Sequence, residues 1–194
     1  MKLGENVLVV ETQEVLRLIG DQEGVVEVPE EEFIKLLKKG FFVPRARAEY
    51  DETLRQIIPY IVLKDGDEFV FFKRTTNQTE KRLHNLITLG VGGHLNDKDG
   101  SEPHECFLKG MKRELEEEVK VDLLGIEYRG LINETENPVS RVHLGVLYIA
   151  QVRYHGLAEP ENFIEYRSKV LSPYLEEMEG WAKVVATYLE RTQK

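Results

Sequence analysis

The sequence holds a single cysteine, Cys106, among 194 residues, so no disulfide can form within the chain and no cysteine-rich zinc site can be built. Next to Phe107 it reads as a small buried hydrophobe. Long apolar runs are also missing. None approaches the roughly 20 residues of a membrane-spanning helix, and Val7 to Val10 is too short for the apolar region of a secretory signal and has no small-residue cleavage site. These absences predict a cytoplasmic protein without a membrane partner. Positive charge is in deficit, with 26 lysines and arginines against 35 aspartates and glutamates and a net charge of −9. Such a surface repels nucleic-acid backbones and anionic lipid, so stable nucleic-acid binding is not expected. Polyphosphates stay within reach where divalent cations bridge the two. The 5 histidines, at 84, 94, 104, 143 and 155, show no metal-ligand spacing.

What the chain does contain is a globular balance, 41% hydrophobic and 31% charged, over a length sufficient for one domain with a full core. Glutamate is concentrated in one place. Phe107, Met111, Leu115 and Val119 recur every four residues and predict an amphipathic helix with that stripe buried. Glu114, Glu117 and Glu118 stand at i, i+3 and i+4, so three carboxylates share another face. They occupy the last turns, where the helix macrodipole favours cations. Each like-charge pair costs only roughly 0.2–0.5 kcal/mol when solvated, and Arg113 to Glu117 is an offsetting i, i+4 pair. An acidic face by itself therefore needs no function to explain it. Its setting does. The pair Gly92-Gly93 follows a strand-like run, Leu86 to Val91, and Glu105 precedes Arg113 by seven intervening residues, 106–112. Carboxylates converging beside glycine carbonyls are the oxygen donors that Mg²⁺ takes while keeping waters that a phosphate can replace.

From Glu105 onward the order is Glu105, seven residues, Arg113-Glu114-Leu115, Glu116, Glu117-Glu118-Val119, Lys120, Val121. This pattern resembles the Nudix box: Gly, five free positions, Glu, seven free, Arg-Glu, an aliphatic, one free, Glu-Glu, one free, Gly, an aliphatic. Lys120 stands where the box has glycine, at a helix end where glycine serves backbone shape. The box glycine matches Gly93, with residues 94–104 in place of five positions before Glu105. Within them Asn96 to Ser101 is polar, contains Asp99-Gly100 and reads as a surface-loop insertion that costs little closure entropy. Two placements of Glu105 stay open. If Ser101 caps the helix and Pro103 opens it, Glu105 lies in the first turn and points away from Glu114; a later start lets it bend toward the metals.

Residues 1–50 read as an N-terminal extension packing on a core domain at 51–194. Val7 to Val10 predicts a short strand, Gln13 to Ile19 a helix ended by Gly20, and Pro29 a helix with Phe33, Leu36 and Leu37 inward and Gly40 as its stop. Arg45 and Arg47 are candidates for meeting phosphate, with surface solvation the preferred reading. Ile57 to Leu63 and Phe69 to Arg74 are predicted strands joined through Asp65-Gly66. The 75–85 loop is polar and basic, and Arg74 and Arg82 are candidate substrate contacts. Val121 to Ile132 and Val139 to Val152 predict further strands, the second with Val142, Leu144, Val146 and Tyr148 on one face and His143 opposite as a hydrogen-bonded sheet residue. Gly156 to Asn162 reads as a loop. A final helix begins near Pro173, with Leu175, Met178, Ala182, Val185 and Leu189 facing the sheet or a second subunit, which leaves a homodimer open.

The resemblance covers about residues 51–192 and implies an α/β chain, a Nudix-type α/β/α sandwich with a mixed β-sheet. It also implies a metal-dependent hydrolase of a diphosphate linkage in a nucleoside diphosphate derivative or related organic pyrophosphate, with Mg²⁺ or Mn²⁺ as cofactor. Carried over position by position, Glu114, Glu117 and Glu118 match the metal-binding glutamates, with a carbonyl of Gly92 or Gly93 as a further ligand. Arg113 matches the arginine that orients the acidic side chains, and Glu105 the first box glutamate. Catalysis is thus expected of Glu105, Arg113, Glu114 and Glu118, and metal binding of Gly93, Glu114, Glu117 and Glu118. The general base stays open among Glu114, Glu118, Glu134, Glu136, Glu177 and Glu179. Two alternatives stand beside this reading. A noncatalytic module sensing a nucleotide ligand would have the same fold, although such modules usually lose box glutamates and this chain keeps them. An isomerase of isopentenyl diphosphate would need its active-site cysteine on a strand or loop, whereas Cys106 lies in the box helix.

Overall fold

The computed structural model describes residues 4–76 and 84–192. In chain order its elements are β1 (Asn6–Glu11), α1 (Thr12–Ile19), β2 (Gly24–Val26), α2 (Glu30–Leu37), β3 (Phe41–Pro44), α3 (Arg45–Ala48), β4 (Leu54–Asp65), β5 (Glu68–Arg74), β6 (Ile87–Thr88) and β7 (Gly90–Val91). There follow α4 (Pro103–Glu118), β8 (Val119–Asn133), α5 (Pro138–Arg141), β9 (His143–Leu157), β10 (Phe163–Ser168) and α6 (Gly180–Thr192), with 3-10 turns at Pro160–Asn162 and Ser172–Glu177. Contacts divide the chain into two units. The first comprises Met1–Tyr60, Gly92–Glu114 and Tyr128–Leu147, and the second Ile61–Val91, Leu115–Glu127 and Tyr148–Lys194.

In the first unit, β1 is buried from Val7 to Val10 and pairs antiparallel with β3 and β4, so that Val9 faces Phe41 on one side and Gln56 on the other. Helix α1 buries Val15 and Ile19 and closes on Gly20, whose φ is 63°. Helix α2 opens with Glu30, Glu31 and Glu32, which the positive end of the macrodipole favours, and buries Phe33, Leu36 and Leu37. The Phe33 ring stacks on Tyr128 at 5.8 Å between centroids and meets Phe107 of α4 edge-on at 5.3 Å. Burying a side chain such as Phe107 contributes about 1.5–3 kcal/mol, which ties α4 to this unit through its apolar stripe.

In the second unit, β4 and β5 form a hairpin with Leu63 opposite Val70 and Asp65 opposite Glu68. The two residues between them are Gly66 and Asp67, and Gly66 supplies the positive φ, 62°, that the first position of such a turn requires. Strand β10 continues from the other edge of β5, Phe163 opposite Arg74 through Ser168 opposite Phe69. Helix α6 buries Ala182, Val185, Ala186, Tyr188 and Leu189 within the chain.

The hydrogen-bonded order β10-β5-β4-β9-β8-β2 makes one sheet, with β1, β3, β6 and β7 attached to it. Within that order β4 and β9 are neighbours. The pairings with defined register are antiparallel. No helix among the described residues is long and apolar enough to cross a membrane.

Several details differ from the sequence reading, and the predicted strand Leu86 to Val91 is divided into β6, which pairs with β5, and β7, which pairs with β4. Val119 belongs to β8, because α4 stops at Glu118. Val139 lies in the short α5, where the Asn137 side chain accepts from Ser140 N at 2.9 Å and Pro138 follows as the first helical residue. The final helix starts at Gly180, the residues from Ser172 to Glu177 forming a 3-10 turn instead. Strand β10 has no counterpart among the predicted elements.

Candidate active site

The segment between β7 and α4 is fastened to β1. Leu8 N donates to Leu95 O at 2.9 Å, Asn6 Nδ2 donates to Asp97 Oδ2 at 2.8 Å, and Val7 bridges Asn96. This holds the glycine turn in place. A Cβ on Gly92 would overlap the carbonyl group of Pro59, and one on Gly93 would stand 2.6 Å from Cδ and 2.8 Å from Oε1 of Glu114. The Glu114 carboxylate thus fills the space that any side chain at position 93 would take. Arg113 Nη1 donates to Glu114 Oε1 at 2.8 Å, and Nη2 donates to His94 O at 3.1 Å.

Arg113 is itself held by Asp99, with Nε donating at 2.6 Å and Nη2 at 2.8 Å in a two-pronged ion pair. The Asp99 side chain is only 6% exposed. Burial alone would raise its carboxyl, but the Arg113 guanidinium and the Asn96 N–H outweigh burial and hold it below the usual carboxylate range. The Asp99 hydrogen bond in turn raises Arg113 above its ordinary value, against burial and with help from Glu114. The stretch from Asn96 to Ser101 is therefore more than a surface insertion: it supplies the anion that anchors the arginine on Glu114. Asp-Gly reads as turn chemistry in the sequence, and that reading hid this role.

The structure does not bring Glu105 to Glu114. Helix α4 begins at Pro103, Glu105 sits in its first turn paired with Lys109 at 2.6 Å, and nine residues turn it about 180° away from Glu114 around the axis. Further along the same helix Glu117 is exposed and Glu118 half-buried. Glu134 is buried and accepts from Ser140 Oγ and, at 3.0 Å, from Glu136 N, so it shapes the turn into α5. Glu177 pairs with Lys73, and Glu179 lies 3.5 Å from Arg74 Nε. The Arg74 guanidinium also lies 5.7 Å from the centre of the Phe163 ring. Arg82 lies outside the described residues. Arg45 pairs with Glu5 and Glu49, and Arg47 with Asp51.

No family model matches the chain. Protein YmaB of Bacillus subtilis (strain 168) is 34% identical over 157 residues, which cover 75% of this chain and 76% of YmaB. The crystal structure of Tm1382, a candidate Nudix hydrolase, matches at 42% identity with a TM-score of 0.89, covering 96% of this chain and 99% of that one. The chain belongs to the Nudix hydrolase family. The crystal structure of an ADP compounds hydrolase shares the fold more distantly, at 16% identity and a TM-score of 0.50 over 79% of this chain and 78% of that one. The layered α/β arrangement with its mixed sheet is the Nudix sandwich, and α4 is its Nudix helix.

The Nudix helix offers carboxylate oxygens at 114, 117 and 118, donors that suit a hard divalent cation. Gly93 leaves the Glu114 carboxylate room beside a bare backbone, so the residues fit such an ion. Cys106, by contrast, is fully buried and donates its Sγ–H to Asn96 O at 3.2 Å, and burial with Asp99 nearby pushes the thiol up to about 12. That environment does not suit the nucleophilic cysteine of the isomerase alternative. The sequence reading also missed a cluster of Glu49, His94 and His143, whose ligating atoms all lie within 4.8 Å of one another. Burial, with Arg45 and His143 adding to it, pushes His94 down to about 3, and burial lowers His143, so both rings are neutral at pH 7. His143 is hydrogen-bonded as expected, through Nδ1 to Val139 O at 2.6 Å.

Proposed function

We propose that this Nudix protein is a divalent-cation-dependent hydrolase that cleaves a diphosphate linkage in a nucleoside diphosphate derivative or related organic pyrophosphate. One observation carries the reading: the Glu114 carboxylate is seated against the side-chain-free Gly93 and clamped by Arg113, on the helix that also bears Glu117 and Glu118. Glu114, Glu117 and Glu118 would hold Mg²⁺ or Mn²⁺, with the Gly93 carbonyl as a further donor. When bound, such an ion neutralises diphosphate charge and lowers the pKa of a coordinated water. Asp99 fixes Arg113, and Arg113 fixes Glu114, so that carboxylate is oriented before substrate arrives. Oε1 of Glu114 is committed to Arg113, which makes Glu118 the better candidate for taking the proton of the attacking water. Arg74 stands as a proposed substrate contact, and engaging a phosphate would mean loosening its contact with Glu179.

The test is a panel of nucleoside di- and triphosphates, nucleotide sugars, ADP-ribose, dinucleoside polyphosphates and dinucleotides, assayed with Mg²⁺ and with Mn²⁺. Turnover that stops on chelation and, in ¹⁸O-labelled water, places label in a phosphate product is the expected result. Tight binding of one compound with no turnover of any would replace the hydrolase with a ligand sensor.

A further inference from the structure

We propose that Glu49, His94 and His143 form a second cation site, for a transition-metal ion of the zinc class, separate from the hard-cation site proposed on the Nudix helix. All three ligands belong to the first unit. They come from the residue after α3, the residue after the glycine turn and the first residue of β9. The two imidazole Nε2 atoms stand 3.2 Å apart, close to the roughly 3.3–3.4 Å between nitrogens bound tetrahedrally at about 2.0–2.1 Å from one ion. Glu49 Oε1 lies 3.8 Å from His94 Nε2 and the three ligating atoms lie within 4.8 Å of one another, so closing the carboxylate onto the two rings completes three protein ligands and leaves a fourth position for water.

His143 donates Nδ1–H to Val139 O, which leaves the Nε2 lone pair of the neutral ring directed at His94. A backbone carbonyl on the far nitrogen is the usual outer partner of a metal-bound imidazole. Two imidazoles and one carboxylate favour zinc over magnesium, which takes oxygen donors. The neighbouring charges act both ways: Arg45 opposes positive charge at both rings and Arg55 at His143, while Glu49 favours it at His143. Arg45 faces Glu49 through Nε and Glu5 through Nη1, and Arg55 Nη1 donates to His143 O, giving two positive and two negative side chains around two neutral rings. Because His94 follows Gly93 and its carbonyl accepts from Arg113, an ion here would brace the turn that seats Glu114.

The full chain, freed of metal, is titrated with Co²⁺ under visible absorption and with Zn²⁺ against a chromophoric chelator; neither readout depends on turnover or on the hydrolase reading. Intense d–d bands of low-coordinate Co²⁺ are expected, displaced by Zn²⁺ but not by millimolar Mg²⁺, and retained in Glu117→Gln. His94→Gln should abolish them. Glu49→Gln, which leaves both rings in place, should weaken Zn²⁺ binding by at least the roughly 10–100-fold that loss of an outer partner costs. A parent protein that gives only the pale spectrum of hydrated Co²⁺, or bands that survive in both variants, overturns the site.

Discussion

Gly92 and Gly93 are neighbours with different duties, and alanine at each separates backbone packing from site geometry. At position 92 the new methyl would run into the Pro59 carbonyl, which sits inside β4 and cannot swing aside. Gly92→Ala should therefore destabilise the protein by about 3 kcal/mol, the upper range for overpacking, as read by chemical denaturation. At position 93 the atoms nearest the methyl belong to the Glu114 carboxylate, a side-chain end that can turn aside at the cost of its bond to Arg113. Gly93→Ala should stay within about 1 kcal/mol of the parent, yet displace a proposed ligand and reduce kcat/KM by on the order of tenfold or more, a change of about 1.4 kcal/mol in the barrier. Similar stability losses in the two variants would mean that Gly93 serves packing and not the carboxylate. Cys106 gives an independent check on burial. With the thiol pushed up to about 12, only about one molecule in 10⁴ carries the reactive thiolate at pH 8. Iodoacetamide should label Cys106 slowly in the native protein and fast in denaturant, and quick native labelling seen by mass spectrometry would contradict the closed environment around Asn96.

Along the Nudix helix, Glu116 and Glu117 are adjacent but turned about 100° apart, so the pair distinguishes a ligand face from a merely solvated one. Glu117→Gln should remove most activity while leaving metal-free stability within about 0.5 kcal/mol of the parent, since it also relieves repulsion. Glu116→Gln should remain close to fully active. Equal losses of kcat in both, or none in either, would sink the assignment of Glu117. The helix was readable from sequence because its information is local: residues three and four apart meet whatever the rest of the chain does. The clamp on Arg113 was not, since Asp99 reaches it from a loop whose course depends on the bonds of Leu95, Asn96 and Asp97 to β1. Likewise His94 and His143 lie far apart in sequence and meet only once β9 is placed. Strand β10 escaped notice for another reason: it pairs with β5 alone and stays largely exposed, and its alternation, Ile164 to Arg167, is only four residues long and follows closely on residues read as a loop. In β9 the opposite condition applied, residues 143–150 being buried on both faces, so its strand character was plain while its alternation carried little meaning.

For the molecule as a whole, the acidic balance and the glutamate cluster imply that cation binding and folding are linked. The net charge is −9, and the carboxylates of the Nudix helix sit at the end of the macrodipole that repels them, so the native state without metal carries a local electrostatic cost. An ion that binds only the native arrangement adds RT ln(1 + [L]/Kd), about 2.7 kcal/mol at a hundredfold excess over Kd. For a chain of this length that corresponds to a rise in Tm of roughly 5–10 °C, if the two units melt together. The expected outcome is a Tm that climbs with Mg²⁺, the ion the His94 and His143 cluster does not favour, relative to chelator in the parent and in Glu116→Gln, and hardly moves in Glu117→Gln. Differential scanning calorimetry across a titration of Mg²⁺ measures this directly. A shift of equal size in all three proteins would place the stabilising ion somewhere other than the Nudix helix, and the Glu117 assignment would fall with it.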